Sequence, residues 1–305
     1  MDDEMAAAVE RIEAMGVPPW HAMSVESARR IEDDVFTPDE QEEIHFIRDL
    51  SIPGPEGDIP IRVYRPDVAD APVVVFYHGG GWVLGTLNSI YGVCRELAKR
   101  AECVVVSVDY RLAPEHPFPA GVDDAYAALE WVEEHAESFD GDPTKLGVAG
   151  TSAGGNLAAV TALRAREFDG PRISHQCLLY PITNHDFSAD SYAENADGPL
   201  LTRADMAWFW NHYLRSPVDG ANPFASPLRA DDLSGLPPAT IVTCGSDPLR
   251  DEGIAYADRL AEADVAVRHH HYAEMAHGFL SLTDSVSTAD EAMGSVTATI
   301  RENLE

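Results

Sequence analysis

The hydrophobic positions of this chain change period several times, and each change marks an element. Residues 3–15 and 24–34 space their apolar side chains as helices do, and a VPPW turn separates them. Residues 44–50 and 59–64 read as two strands joined by the turn-rich PGPEGD. From residue 73 the runs become apolar throughout: VVVFY ending in the glycines of HGGGW (73–82), CVVVSVDY (103–110), KLGVAG (145–150) and SHQCLLY (174–180). Helical patterns over 89–101, 122–139 and 153–167 separate them. Strands without a polar face, alternating with amphipathic helices, predict an α/β fold with a mostly parallel sheet covered on both faces. Its crossovers are expected to be right-handed. The alternation lapses over 183–216, a polar stretch followed by the aromatic-rich helix ADMAWFWNHYL (204–214). It resumes with PATIVTC (238–244), a helix over 252–263, VAVRHHHY (265–272) and a last helix near 284–302. The pieces outside the pattern predict a division into cap helices over 1–41, a core over 42–182, a second cap segment over 183–216 and the rest of the core over 217–305. The two cap pieces together are expected to form a lid.

Composition narrows the function. At 305 residues and 45% hydrophobic the chain buries a core suited to one large domain. Its formal charge of −31 argues against binding nucleic acid or anionic membranes by general electrostatics. No apolar run approaches the roughly 20 residues that span a bilayer. The acidic start MDDEMAAAVERIEAMG lacks the basic and apolar regions of a signal peptide, so a cytoplasmic protein is expected. Only Lys99 and Lys145 are lysines, every other member of the 21 Lys and Arg being arginine. Such an acidic, lysine-poor chain fits a cytosol at high salt, where screening removes self-repulsion. Cys94, Cys103, Cys177 and Cys244 form no CxxC pair and read as reduced core residues, not as zinc ligands.

Three motifs carry chemistry. Gly150-Thr151-Ser152-Ala153-Gly154 lies where a strand becomes a helix, the place for a serine held on a tight turn between two small residues. The competing reading makes Ser152 a helix N-cap. His78-Gly79-Gly80-Gly81-Trp82 follows another strand, and its glycines leave main-chain N–H groups free to face an anion. The N–H groups of Gly80, Gly81 and Ala153 are the expected oxyanion donors. A phosphate loop is the alternative, but no GK[ST] follows. A serine nucleophile needs a base, and the base needs an acid to orient it. Asp247 in CGSDPL and His277 in EMAHGF each follow a predicted strand, completing the order Ser…Asp…His. Asp251 is a rival acid but reads better as a cap. His269 and His271 share a strand face without further ligands, and His78 reads as a loop-holding residue. No metal and no cofactor is expected. A histidine acting as base must be neutral, so the rate is expected to fall in acid. Trp82, Trp208, Phe209 and Trp20 are candidates for an apolar acyl pocket beneath the lid; the alternative is that Trp208, Phe209 and Trp210 anchor the lid helix. By itself DYRLAPEHPFPA (109–120) reads as a rigid loop with an Asp109–Arg111 ion pair.

With HGGGW, DYRLAPEHPFPA, GTSAGGN (150–156), DPLRDEG (247–253) and HGF (277–279), the sequence resembles the hormone-sensitive-lipase family of α/β-hydrolases, in its prokaryotic carboxylesterase branch. The likeness runs from about residue 20 to the C-terminus. It implies the α/β-hydrolase fold with a helical cap, the Ser152–Asp247–His277 triad and the Gly80/Gly81/Ala153 oxyanion hole. Thr151, where much of the family has aspartate, is similar to the GTSAG subgroup. The resemblance implies a serine carboxylesterase acting on short- to medium-chain esters, with a small-molecule ester as its partner, and a homodimer through the last strand or helix. An amidase or deacetylase using the same triad, and a non-catalytic small-molecule receptor, are the alternatives.

Overall fold

The computed structural model describes residues 1–37 and 44–305. Two helices come first, α1 (Asp3–Ala14) and α2 (Val25–Phe36), the second started by the Ser24 hydroxyl accepting from the Ser27 N–H at 3.2 Å. The strands β1 (Phe46–Gly54) and β2 (Gly57–Arg65) form an antiparallel hairpin. Its turn is so tight that a Cβ on Gly54 would lie 2.6 Å from the Gly57 carbonyl oxygen. Then strand and helix alternate: β3 (Ala71–Tyr77), α3 (Tyr91–Ala101), β4 (Val104–Val108), α4 (Ala120–His135), β5 (Gly141–Thr151), α5 (Ala153–Glu167) and β6 (His175–Leu179). Within the excursion that follows lie a short helix α6 (Asp190–Glu194) and α7 (Arg203–Tyr213). The alternation closes with β7 (Ala239–Ser246), α8 (Arg250–Glu262), β8 (Val267–Ala276) and α9 (Ser287–Leu304).

The eight strands form one sheet in the order β1-β2-β4-β3-β5-β6-β7-β8. Every pairing from β4 to β8 is parallel, and only the hairpin and its junction with β4 are antiparallel. Period-two alternation sends β3 into two cores. Val73, Val75 and Tyr77 belong to the core shared with Leu129 and Val132 of α4, Leu157 of α5 and Leu260 of α8. Val74 and Phe76 belong to the core shared with Leu97 of α3 and Met293 and Val296 of α9. That double burial is why the strands carry no polar face. All four cysteines are buried and free. Among the described residues no helix is long and apolar enough to cross a membrane.

Residues 1–37 and the excursion meet over the C-terminal edge of the sheet. A 3₁₀ turn at Trp20–Ala22 packs on α7, where the backbone N–H and ring Nδ1 of His21 lie 2.9 and 2.8 Å from Asp205 Oδ1. The expected boundary at 41/42 lies outside the described residues. One strand differs in a way that matters: β8 continues past Tyr272 to Ala276 after a register shift between Cys244 and Ser246. This extra length delivers the chain directly to His277.

Candidate active site

The backbone at Ser152 explains the residues around it. Strand β5 ends at Thr151 and α5 begins at Ala153, so the turn falls on Ser152 alone, with φ 55° and ψ −117°. A non-glycine residue there is strained and needs its surroundings to hold it. The neighbours must then be small: a Cβ on Gly150 would lie 2.2 Å from the Gly154 carbonyl oxygen, and one on Gly154 1.9 Å from that of Tyr77. Main-chain bonds fix the turn, with the Ser152 N–H donating to Leu179 O at 2.8 Å. The hydroxyl makes no N-cap bond. Instead its Oγ lies 2.9 Å from His277 Nε2.

Two further strand ends complete a relay. His277 Nδ1 lies 2.7 Å from Asp247 Oδ2, while Asp247 Oδ1 accepts from the Leu249 N–H at 2.9 Å. A carboxylate only accepts, so Nδ1 carries the proton and Nε2 is left to accept from the serine hydroxyl. Asp247 is 1% exposed and Ser152 8%, so the relay works out of bulk water. Asp251 is turned elsewhere, accepting from the Ser191 N–H and pairing with Arg250.

The Asp247 loop is held from the excursion. Asn195 Nδ2 donates to Asp247 O at 3.3 Å and the Ser191 hydroxyl to Pro248 O at 2.7 Å. Buried Glu252 accepts from the N–H groups of Thr183 and Asn184 at 2.7 and 3.1 Å and from the Tyr192 hydroxyl at 3.2 Å. Burial outweighs these bonds and, with nearby Asp247, pushes the Glu252 carboxyl up to about 8. Sequence reasoning missed Glu252, because a glutamate in a helix's first turn normally reads as a solvated dipole partner. A raised carboxyl keeps a proton that the unfolded chain loses above about 4.3. Its stabilising contribution is therefore complete at low pH and is lost as pH climbs from there through about 8. Thermal melts between pH 5 and 8 should show Glu252→Gln losing less stability than wild type across that interval, each displaced unit being worth about 1.4 kcal/mol. Parallel curves would refute the burial argument.

The glycine loop after β3 faces the serine. Gly80 and Gly81 have φ 98° and 59°. A Cβ would strike Leu84 O at 2.4 Å in the first case and the Phe209 ring at 2.2 Å in the second. The Val83 and Leu84 N–H groups both donate to Gly80 O and tighten the turn. Ala153 opens α5, where leading N–H groups have no acceptor within the helix. His78 is buried beneath this loop, stacked on Tyr110 at 4.3 Å, with Nδ1 2.8 Å from Gly79 O. Burial pushes its imidazole down and the facing Asp109 carboxyl up. The anticipated Asp109–Arg111 pair does not form. Arg111 grips Asp124 through Nε and NH2, both at 2.8 Å, and reaches Glu56.

A cavity of about 360 Å³ opens onto Ser152 and His277. Trp20 and Phe209 line it, together with Val35 and Phe36 of α2 and Leu200 and Leu201 of the excursion. Trp82 and Trp208, expected in this pocket, do not line it. Trp82 is 1% exposed, stacked flat on Tyr213 at 4.0 Å and packed on Trp210, so it anchors α7 from below. Trp208 sits about 100° around α7 from Phe209 and turns to His212. His269 and His271 both approach the Thr243 hydroxyl, at 2.8 and 2.9 Å. Among the described residues no cluster of three or more His, Cys, Asp or Glu gathers to hold a metal.

The profile of a family described as having the alpha/beta hydrolase fold matches residues 74–281. Esterase LipI of Mycobacterium tuberculosis is 48% identical over 250 residues, covering 80% of this chain and 78% of its own. A thermostable esterase from Pseudomonas putida has a solved structure that superposes with a TM-score of 0.95 at 36% identity, covering 100% of this chain and 98% of its own. A serine-to-alanine variant of an alpha/beta hydrolase enzyme from the metagenome of Lake Arreo superposes with a TM-score of 0.94 at 37% identity, covering 99% and 98%.

Proposed function

This chain belongs to the alpha/beta hydrolase fold family, in its hormone-sensitive-lipase-like branch, and from that membership we propose a serine carboxylesterase whose triad is Ser152, His277 and Asp247. The observation that carries the reading is the unbroken relay Ser152 Oγ–His277 Nε2–His277 Nδ1–Asp247 Oδ2, with contacts of 2.9 and 2.7 Å. Ser152 Oγ attacks the ester carbonyl carbon as its proton passes to Nε2. The resulting oxyanion rests against the N–H groups of Gly80, Gly81 and Ala153. The C–O bond to the alcohol then breaks, Nε2 returns the proton to the departing oxygen, and an acyl-enzyme remains. Water, deprotonated by the same nitrogen, releases the carboxylic acid and frees the serine. Asp247 supports the imidazolium throughout.

The cavity of about 360 Å³ supports short- to medium-chain esters. Thr151 ahead of the nucleophile supports a place in the GTSAG subgroup. The segments over 1–37 and 183–216 support a two-piece cap, since both contribute to the cavity wall. An activated alkyl phosphonate ester, which mimics the tetrahedral intermediate, should label the protein once, on the peptide containing Ser152, and abolish hydrolysis of p-nitrophenyl butyrate in step. Labelling elsewhere, or full labelling with activity intact, would refute the assignment.

The charge of −31 supports a halophilic, cytoplasmic setting. Ion pairs such as Arg62–Asp49 and Arg164–Asp123 draw on only 21 lysines and arginines against 52 acidic residues, so the excess carboxylates repel one another until salt screens them. The melting temperature and esterase rate should both rise from dilute buffer to molar potassium chloride. Equal values in the two media would remove the salt-adaptation reading.

A further inference from the structure

Helix α2 brings a carboxyl to the cavity wall that the proposed chemistry does not use. Three acidic residues line the cavity: Glu13, Glu32 and Asp205. Glu13 is exposed to solvent. Asp205 is spent on His21, on the Thr202 N–H at 3.0 Å and on the Thr202 hydroxyl at 2.7 Å. Glu32 is different. It is 8% exposed, and its Oε2 accepts no hydrogen bond from the protein. The Ser89 hydroxyl and Gly85 N–H act on the carboxyl, yet burial outweighs them and pushes it up to about 7. Arg29, one turn earlier on α2, offers no relief: its guanidinium donates to Val83 O at 2.8 Å, to Ala113 O at 2.8 Å and to the Glu115 carboxylate.

A buried acceptor left without a donor is destabilising, and a ligand that brings the donor removes that penalty. The same cavity presents apolar side chains at Val35, Phe36, Leu84, Leu201 and Phe209, and beside Glu32 only the Ser89 hydroxyl and Gly85 N–H are seen to act on its carboxyl. We propose that Glu32 determines substrate specificity: the preferred ester carries a hydroxyl group, remote from the scissile bond, that hydrogen-bonds to the Glu32 carboxyl. This deepens the reading of Ser152 as an esterase nucleophile and rests on it. An ester with a remote carboxylate meets the opposite fate, since two carboxyls facing each other in a cavity disfavour binding.

Two matched series test this, one varied on the acyl side (p-nitrophenyl hexanoate) and one on the alcohol side (hexyl butyrate, followed by acid release). Each parent is compared with its ω-hydroxy and ω-carboxy counterparts. In at least one series the ω-hydroxy ester should exceed its parent in kcat/KM by about tenfold and the ω-carboxy ester should fall below it by a similar factor. Glu32→Gln should move both ratios toward unity. If that variant does not fold, Glu32→Asp, which withdraws the carboxyl by one methylene, should do the same. A wild type that favours the plain parent in both series overturns the proposal, as do ratios that survive substitution. A wild type that hydrolyses neither parent overturns the esterase reading and this proposal with it.

Discussion

Alanine at position 152 is expected to lower kcat on p-nitrophenyl butyrate by about 10⁶-fold, while the melting temperature stays close to that of wild type. The size follows from what the hydroxyl does. It is the only group in the relay able to form the acyl-enzyme, and removing such a nucleophile costs about as much as removing a whole triad. Residual hydrolysis would come from water attacking an ester held against the three N–H groups, which alone gives roughly 10³–10⁴ over the uncatalysed rate. The stability expectation rests on position. Ser152 Oγ makes one side-chain hydrogen bond, to His277, and contributes no N-cap bond to α5. The turn itself is fixed by main-chain bonds such as Ser152 N–H to Leu179 O, which alanine keeps. Initial rates at saturating substrate, with a thermal melt on the same preparation, check both halves. A folded variant retaining a tenth of the activity would refute Ser152 as nucleophile.

Asp247→Asn should cost about 10⁴-fold in kcat with little change in KM. Asparagine fits the site, because its carbonyl can still accept from the Leu249 N–H, a bond of 2.9 Å in the native protein. Its amide nitrogen then faces His277 Nδ1 and, being a donor, forces that nitrogen to accept. The imidazole proton moves to Nε2, and Nε2 can no longer take the serine proton. Asp247 does not line the cavity, so substrate binding is spared. Steady-state kinetics at neutral pH give the split directly. Loss confined to KM would mean that Asp247 shapes the pocket and does not orient the base.

The sequence made the three side chains that converge in the proposed relay legible and the surroundings much less so. Ser152 and Asp247 follow the buried runs of β5 and β7, and such a strand advertises its own end, whereas His277 follows the half-exposed VRHHHYAEMA and was legible through its HGF motif. Gly150 and Gly154 were legible because a strand-to-helix turn on one residue leaves no room for side chains. The acyl wall was not. Trp82 and Phe209 look equally suited to an apolar pocket, and only the three-dimensional packing of Tyr213 against Trp82 separates anchor from lining. Arg111 has acidic residues at several distances along the chain, and pairing with Asp124 instead of Asp109 depends on where α4 docks. Glu32 and Glu252 were invisible for a related reason: an acid in an amphipathic helix is usually solvated, and nothing local reveals a buried one.

The relay atoms ride on the ends of β5, β7 and β8, which the central sheet locks in register, whereas much of the cavity wall comes from Trp20, Val35, Leu201 and Phe209 on segments outside the sheet. These two sets of residues answer to different constraints. Changes at the wall alter which molecules are admitted without displacing the atoms of the proposed relay. New appetites are thus within reach of a handful of substitutions, and an engineer altering selectivity in this protein would start at residues 20, 32, 35 and 201, leaving the strand termini untouched.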